Sequence, residues 1–114
     1  MRPRDVVVVG GGAMGSAAAW QLARRGVDVT LLEQFEPGHT CGGSHGSSRI
    51  VRLSYDDPFY VDLAATGYDG WAELEDDCGE QLLTWTGVVD HGDPATVGRL
   101  AAAMESRNHA VETV

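Results

Sequence analysis

Apolar runs divide the first third of the chain into a strand, a helix and a second strand. Asp5–Val9 is a β-branched run, typical of a strand that is buried on both faces and therefore parallel to its neighbour. Ala13–Arg25 is rich in alanine, lacks proline and has larger apolar residues at helical spacing, which predicts a helix that Gly26 ends. Val27–Leu32 predicts the second strand. Together they predict a βαβ unit over residues 5–33.

The pattern that follows this unit is mixed. A segment rich in glycine, serine and histidine, residues 37–48, predicts a loop, and the alternation of Arg49–Tyr55 suits a short strand or a tight turn into one. Tyr60–Asp77 has apolar residues near one face and acids on the other. This periodicity predicts a helix over residues 60–77, which Gly79 ends.

The last third of the chain predicts one more helix between short strands. Leu82–Val89 contains two apolar runs separated by Gly87, which suits a strand pair or a bulged hairpin. Ala95–Ser106 predicts a helix with Pro94 near its first turn. Ala110–Val114 predicts the start of another strand. Because a strand needs a partner, we expect the sequence to be a piece of a longer domain.

Composition and charge narrow the class of protein. The chain has 114 residues, of which 43% are hydrophobic and 22% are charged, as in one small water-soluble domain. No apolar run approaches the roughly 20 residues that span a bilayer, so a cytoplasmic location is predicted. The formal net charge of −9 argues against nucleic acid and anionic membranes as partners. Cys41 and Cys78 form no metal-binding motif, and no metal is expected.

The charges are unevenly distributed along the chain. Residues 1–55 carry six arginines against four acids, whereas residues 56–114 carry two arginines against thirteen acids. The acidic half is interpreted as a solvated helix face, and His39 and His91 are expected to be surface residues. Arg49 and Arg52 are the more informative charges because they follow a glycine-rich loop.

A glycine turn gives the clearest prediction of a binding site. Gly10, Gly12 and Gly15 fill the positions of a GxGxxG pattern between the first strand and the helix, where glycines allow a tight turn, a close approach to pyrophosphate and close helix packing. Glu33 lies 18 residues beyond Gly15, near the spacing of the acid that binds a ribose hydroxyl, and it disfavours a 2′-phosphate. The turn therefore predicts a site for an ADP group, which NAD and FAD share.

A second pattern, SHGSSRIVR, occupies residues 44–52. Together with VVVVGGGAMGSAAAWQLARRG near the start, GYDGWAEL and TGVV, it resembles the monomeric sarcosine oxidase and N-methyl-tryptophan oxidase family, within the D-amino-acid-oxidase-like flavoproteins. The resemblance implies an α/β fold with a Rossmann-like FAD-binding domain in a two-domain flavoprotein. Residues 1–114 would be the N-terminal part of that discontinuous domain, with a flavin-site loop over residues 37–55 and the rest absent.

The resemblance also implies roles for particular residues. Arg49 would lie against the flavin ring, Arg52 would bind the substrate carboxylate, and His45 would lie next to the ring; these are the implied catalytic residues. The predicted cofactor-binding residues, drawn from the glycine turn, the end of the second strand and the loop, are Gly10, Gly12, Ala13, Met14, Gly15, Glu33, Gln34, Gly43, Ser44, Arg49 and Ile50.

The implied reaction is the FAD-dependent oxidation of a secondary or N-methyl amino acid to an imine, with O₂ reduced to H₂O₂. Fixed cations suit this chemistry because negative charge develops on the flavin ring, and an arginine matches a carboxylate in geometry. The expected partners are a small amine substrate and O₂.

The chain departs from the family pattern at several positions. Ser47 and Ser48 replace an acid and a threonine, Cys41 does not match the cysteine that tethers flavin in monomeric members, and the chain has no lysine. Two alternatives stay open: an NAD-dependent dehydrogenase that uses the same βαβ unit, and an inactive truncated fragment.

Overall fold

The computed structural model describes residues 5–112. The chain divides into two units, of which the first ends at Arg49 and the second begins at Ile50. Two strands and one helix lie in the first unit, and two helices lie in the second. The described residues therefore form a small mixed α/β structure.

The first unit contains the predicted βαβ arrangement. Strand β1 spans Val6–Val9, helix α1 spans Ala13–Arg24 and strand β2 spans Val29–Leu32. The two strands are parallel, with Val6 opposite Val29 and Val9 opposite Leu32. Parallel strands need a long crossover, and α1 supplies it. The predicted βαβ unit is confirmed.

Helix α1 ends close to the predicted residue. Arg25 is the C-cap, and Gly26 follows it in the left-handed backbone region with a φ of +78°. The N–H of Gly26 donates to the carbonyl of Ala23 at 2.9 Å. A glycine just past the C-cap is the usual way to satisfy the last helical carbonyls, so Gly26 ends the helix as predicted.

The predicted burial of β1 on both faces is wrong. Val7 is 53% exposed and Val9 is 81% exposed, whereas Val6 and Val8 are half-buried. Helix α1 contacts both strands. Side chains alternate across a strand, so one helix covers one face of this two-stranded sheet, and no described element of the first unit covers the other.

The second unit contains both predicted helices. Helix α2 spans Pro58–Cys78, with Asp57 as N-cap and Gly79 as C-cap, and helix α3 spans Pro94–Glu105, with Asp93 as N-cap. The Asp57 carboxylate accepts from the Phe59 N–H at 2.9 Å, and that of Asp93 accepts from the Thr96 N–H at 3.0 Å. Helix α2 begins earlier than predicted because Pro58 suits the first helical position.

Contacts between α2 and α3 form the centre of the second unit. Val61 of α2 and Ala103 of α3 are buried, and the buried Ser54 hydroxyl has no hydrogen-bond partner among the described residues. The Arg107 Nε donates to the Asp62 carboxylate at 2.9 Å, which joins the chain beyond α3 to α2. Among the described residues, no helix is long and apolar enough to cross a membrane.

The strands predicted beyond the βαβ unit are absent from residues 49–112. In Arg49–Tyr55 only a tight turn forms, where the Tyr55 N–H donates to the Leu53 carbonyl at 2.8 Å. In Leu82–Val89 the N–H groups of Leu82 and Leu83 donate to the Glu75 carboxylate and not to a neighbouring strand. Ala110–Glu112 forms no strand, and residues 113–114 of that prediction lie outside the described residues.

Candidate cofactor site

The glycine turn between β1 and α1 has the geometry that its sequence predicts. Gly10 has a φ of +101°, which glycine adopts most readily, and its N–H donates to the Leu32 carbonyl at 2.7 Å. A Cβ atom on Gly15 would lie 1.8 Å from the carbonyl oxygen of Gly10, so the first turn of α1 packs on β1 only with glycine there. The turn therefore fits a backbone cradle for a pyrophosphate.

A serine from the following loop caps the start of α1. Gly12 is the N-cap and has no side chain to accept a hydrogen bond, and the N–H of Ala13 donates to the Ser44 Oγ at 2.9 Å. A Cβ atom on Gly12 would lie 3.1 Å from the same oxygen. The loop thus lies close to the helix N-terminus, the positive end of the helix dipole, which favours negatively charged ligands.

Glu33 follows β2 and faces the glycine turn. Its Oε2 accepts from the Gly11 N–H at 2.7 Å, and its Oε1 accepts from the N–H groups of Gln34 and Phe35 at 2.7 and 3.0 Å. The Gly11 N–H, and next the Phe35 N–H, lower the pKa of Glu33 because they stabilise its charged form. The carboxylate is therefore ionised near neutral pH and held against the turn.

These groups line a cleft of about 920 Å³ in the first unit. That volume lies in the range of sites for small molecules and cofactors, roughly 300–1,000 Å³. The predicted cofactor residues that line the cleft are Gly10, Gly12, Glu33, Gln34, Gly43 and Ser44, together with His45. Gly15 acts in helix packing, and Met14 on the outside of α1 is 86% exposed.

Two of the implied catalytic residues are held by the loop. The Arg49 guanidinium folds back on it, with Nη1 donating to the Ser48 carbonyl at 2.9 Å and Nη2 donating to the Gly43 carbonyl at 3.2 Å. His45 Nδ1 lies 2.5 Å from the Gly42 carbonyl. A carbonyl only accepts, so Nδ1 of His45 carries a proton. Both side chains are thus oriented by backbone carbonyls.

The other residues predicted at the flavin site belong to the second unit. Ile50 is exposed there, and the guanidinium carbon of Arg52 lies 5.2 Å from the ring centroid of Tyr55. The Tyr68 hydroxyl donates to the Val51 carbonyl at 2.9 Å, which holds this segment on α2. The structure therefore gives Arg52 a defined aromatic neighbour within its own unit.

His39 is a cleft residue that the sequence analysis missed. It was expected at the surface, but it lines the cleft, and its Nε2 lies 3.7 Å from Glu33 Oε1. Its ring centroid lies 4.8 Å from that of Phe35. The spacing of six residues from Glu33 was the available signal, but the turn that brings the two side chains together follows no helical or strand period.

The comparison with protein families assigns the chain to a class. A family model described as FAD dependent oxidoreductase matches residues 5–113. The chain belongs to this FAD-dependent oxidoreductase family. The cofactor of the family is FAD, and the glycine turn, Glu33 and the cleft fit its ADP part. Family membership implies a Rossmann-like α/β fold and does not favour the nicotinamide-dependent dehydrogenase.

Individual relatives are sarcosine oxidases by name. Monomeric sarcosine oxidase from Bacillus sp. (strain B-0618) is 42% identical over 103 residues, which cover 90% of this chain and 26% of the relative. The enzyme of that name from Streptomyces avermitilis is 48% identical over 91 residues, covering 79% and 24%. Peroxisomal sarcosine oxidase from Mus musculus is 44% identical over 85 residues, covering 75% and 22%. The chain spans about a quarter of the length of these relatives.

Proposed function

We propose that the protein oxidises a secondary or N-methyl amino acid of the sarcosine type with FAD, and passes the electrons to O₂ to give H₂O₂. Residues 1–114 are, in this proposal, the N-terminal part of the discontinuous FAD-binding domain of a two-domain flavoprotein. The observation that carries the proposal is the meeting of the glycine turn, the Glu33 carboxylate and the loop bearing His45 around one cleft. The names of the relatives supply the substrate type.

The ADP part of FAD is held by the first unit in this proposal. The glycine turn accommodates the pyrophosphate through backbone N–H groups, and Glu33 accepts a hydrogen bond from a ribose hydroxyl. FAD, when bound, supplies the acceptor for the two electrons that leave the C–N bond of the substrate. The lowered pKa of Glu33 keeps its carboxylate ready as an acceptor at neutral pH.

The arginines supply positive charge to the reaction in this proposal. Arg49 stabilises the negative charge that develops on the ring, because two carbonyl contacts hold its guanidinium in one place. Arg52 binds the substrate carboxylate, since a guanidinium offers two parallel N–H groups that match two carboxylate oxygens. His45 would lie next to the ring, and the hydrogen bond from its Nδ1–H to the Gly42 carbonyl fixes its orientation.

The cellular location of the protein is also part of the proposal. We expect a cytoplasmic protein, although the relative from Mus musculus is peroxisomal by name.

The first experiment is to purify the full-length gene product and measure its absorption spectrum and its reaction with sarcosine. We expect a yellow protein whose flavin absorbance bleaches when sarcosine is added without O₂, and which forms one H₂O₂ per imine in air. A colourless protein that binds NADH would overturn the proposal.

Substitution of Arg52 tests the role of its guanidinium. Arg52→Gln should raise KM for sarcosine at least about tenfold because a charge-assisted bidentate contact is lost, and it should leave the flavin spectrum intact. Arg99→Gln is the matched control, because Arg99 is exposed on α3 and its guanidinium donates to the Thr96 hydroxyl. Equal KM values for the two variants would remove Arg52 from the substrate site.

A further inference from the structure

His39 has one defined tautomer. Its Nδ1 accepts a hydrogen bond from the backbone N–H of Cys41 at 3.0 Å. A backbone N–H only donates, so Nδ1 carries a lone pair and the proton of the neutral ring lies on Nε2. The ring is tilted against Phe35 with its centroid 4.8 Å away, and its side chain is about a quarter exposed. The loop therefore presents an Nε2–H donor in a fixed direction.

That donor faces the carboxylate of Glu33 but does not reach it. The distance from His39 Nε2 to Glu33 Oε1 is 3.7 Å, longer than a hydrogen bond between a nitrogen and an oxygen. Three backbone N–H groups already occupy the carboxylate, two at Oε1 and one at Oε2. A carboxylate offers about four acceptor positions, so about one remains for a further donor. A donor and an acceptor thus lie side by side at the cleft.

A hydroxyl group matches this pair because it both donates and accepts. Its oxygen, placed about 2.8 Å from each group, can bridge the His39 Nε2–H and the acceptor position left on Oε2, because the other oxygen of the same carboxylate, Oε1, lies 3.7 Å from Nε2. It would donate to Glu33 and accept from His39 Nε2–H. A 2′-phosphate could accept from His39 but would be repelled by the Glu33 carboxylate, and a ring carbon neither donates nor accepts. The ribose of the ADP part would bring hydroxyl groups to the glycine turn, where Glu33 lies.

We propose that His39 is a further cofactor-binding residue, which donates from Nε2 to a ribose hydroxyl of FAD while Glu33 accepts from the same hydroxyl. The pair makes the site selective for a nucleotide with that hydroxyl over its deoxy analogue. The inference rests on FAD as the cofactor and not on the proposed substrate. It is therefore tested by binding alone, in the apoprotein of the full-length gene product.

Two substitutions separate the two ring nitrogens. His39→Asn keeps a side-chain oxygen that accepts from the Cys41 N–H and removes the Nε2–H donor. His39→Gln places an amide N–H near the position of Nε2 and gives up the bond to Cys41. His91→Asn is the matched control, because His91 is exposed in the second unit.

The probes are FAD, ADP, 2′-deoxy-ADP and 3′-deoxy-ADP. FAD affinity is measured by the quenching of flavin fluorescence, and the other nucleotides are measured by competition. In the wild type and in His91→Asn, removal of one ribose hydroxyl should weaken binding, roughly fivefold or more for loss of hydrogen bonding. His39→Asn should bind FAD and ADP roughly fivefold more weakly and should show a smaller penalty for the same deoxy analogue. His39→Gln should keep the wild-type penalty.

The inference is overturned if His39→Asn shows the same penalty as the wild type for both deoxy nucleotides. A measurement without substitution covers the case in which His39→Asn does not fold. In the wild-type apoprotein labelled with ¹⁵N-histidine, ADP should protect the His39 Nε2–H from exchange with water, and the sensitive deoxy analogue should protect it less. Equal exchange with and without ADP would also overturn the inference. Failure of sarcosine to reduce the flavin would instead contradict the proposed function and leave these binding results unchanged.

Discussion

Gly15 is the residue at which the packing of the cleft is most sensitive. A Cβ atom there would lie 1.8 Å from the Gly10 carbonyl oxygen, which belongs to the backbone and cannot rotate away. Gly15→Ala is expected to shift α1 away from β1 and to lower the free energy of unfolding by about 2–3 kcal/mol. Urea denaturation followed by circular dichroism measures this change.

Gly98→Ala is the matched control for this substitution. Gly98 lies within α3, and a Cβ atom there would meet nothing within 4 Å. Alanine costs less backbone entropy in a helix than glycine, so the variant should be more stable by about 0.5–1 kcal/mol. If both alanines had the same effect, the close approach of Gly15 to Gly10 would not limit the fold.

Glu33 makes a contribution to stability that depends on pH. Its pKa is lowered in the folded protein from the ordinary value of 4.5, chiefly by the Gly11 N–H. The contribution is therefore fully present above pH 4.5 and is lost as the pH falls through the lowered folded pKa. Glu33→Gln should unfold at a lower temperature than the wild type at pH 7, and the difference should shrink below pH 4.5.

Thermal unfolding of both proteins between pH 7 and pH 3, at constant ionic strength, measures this difference. Asp76→Asn is the control, because it removes a carboxylate from the exposed side of α2 without touching the glycine turn. A difference between the wild type and Glu33→Gln that stays constant through acid pH would contradict the role of the ionised carboxylate.

At the scale of elements, the helices of the second unit depend on their first residues. Asp57 precedes Pro58 and accepts from the Phe59 N–H at 2.9 Å. Asp57→Ala should lower the free energy of unfolding by about 1 kcal/mol, because an N–H at the helix start loses its acceptor. Chemical denaturation measures the loss, and Asp57→Asn should recover most of it. A value for Asp57→Ala equal to that for Asp57→Asn would show that the side chain does not cap α2.

Elements with a local cause could be predicted from the sequence. The β-branched run of β1, the alanine-rich α1 and the terminator Gly26 lie close to the predicted positions because each depends on neighbours in sequence. The Asp57-Pro58 pair carries the same start signal as Asp93-Pro94, but the sequence prediction used only Pro94. Start signals therefore gave more exact helix bounds than the periodicity of apolar residues.

The strand pair predicted over residues 82–89 failed because a strand depends on a partner. Apolar residues flanking a glycine are compatible with a strand, but the N–H groups of Leu82 and Leu83 bond to Glu75 of α2. Trp85 stacks on Tyr68, with ring centroids 4.9 Å apart, and is still 75% exposed. These long-range contacts cannot be inferred from the pattern of the segment itself.

At the scale of the whole molecule, cofactor binding and folding are coupled. A ligand that binds only the folded state stabilises it, by about 2.7 kcal/mol at a concentration of 100 times Kd. FAD should therefore raise the melting temperature of the apoprotein, and Glu33→Gln should reduce the rise at equal FAD concentration. Differential scanning fluorimetry at a wavelength free of flavin emission measures both. If FAD left the melting temperature of the wild type unchanged, the alternative of an inactive truncated fragment would be favoured.

Part of the candidate site could be predicted because it depends on the order of elements along the chain. The GxGxxG turn and Glu33 follow from the order of strand, turn and strand, and the structure brings them together. The contact of Ser44 with the start of α1 and the position of His39 depend on the path of the loop. A loop path is set by individual side-chain bonds, and these have no sequence period.

The N–H groups of Leu82 and Leu83 donate hydrogen bonds to the Glu75 carboxylate, and acid should weaken both of these bonds. The N–H groups of Leu83 and Leu82 lower the pKa of Glu75, so the carboxylate is charged at neutral pH and accepts both hydrogen bonds. Protonation of Glu75 at low pH would weaken its hydrogen bonds to the residues that follow α2. The helix itself would stay capped by Gly79. Deuterium uptake at these two amides, corrected for the intrinsic rate at each pH, would then report the release of residues 82–89 before the helices unfold.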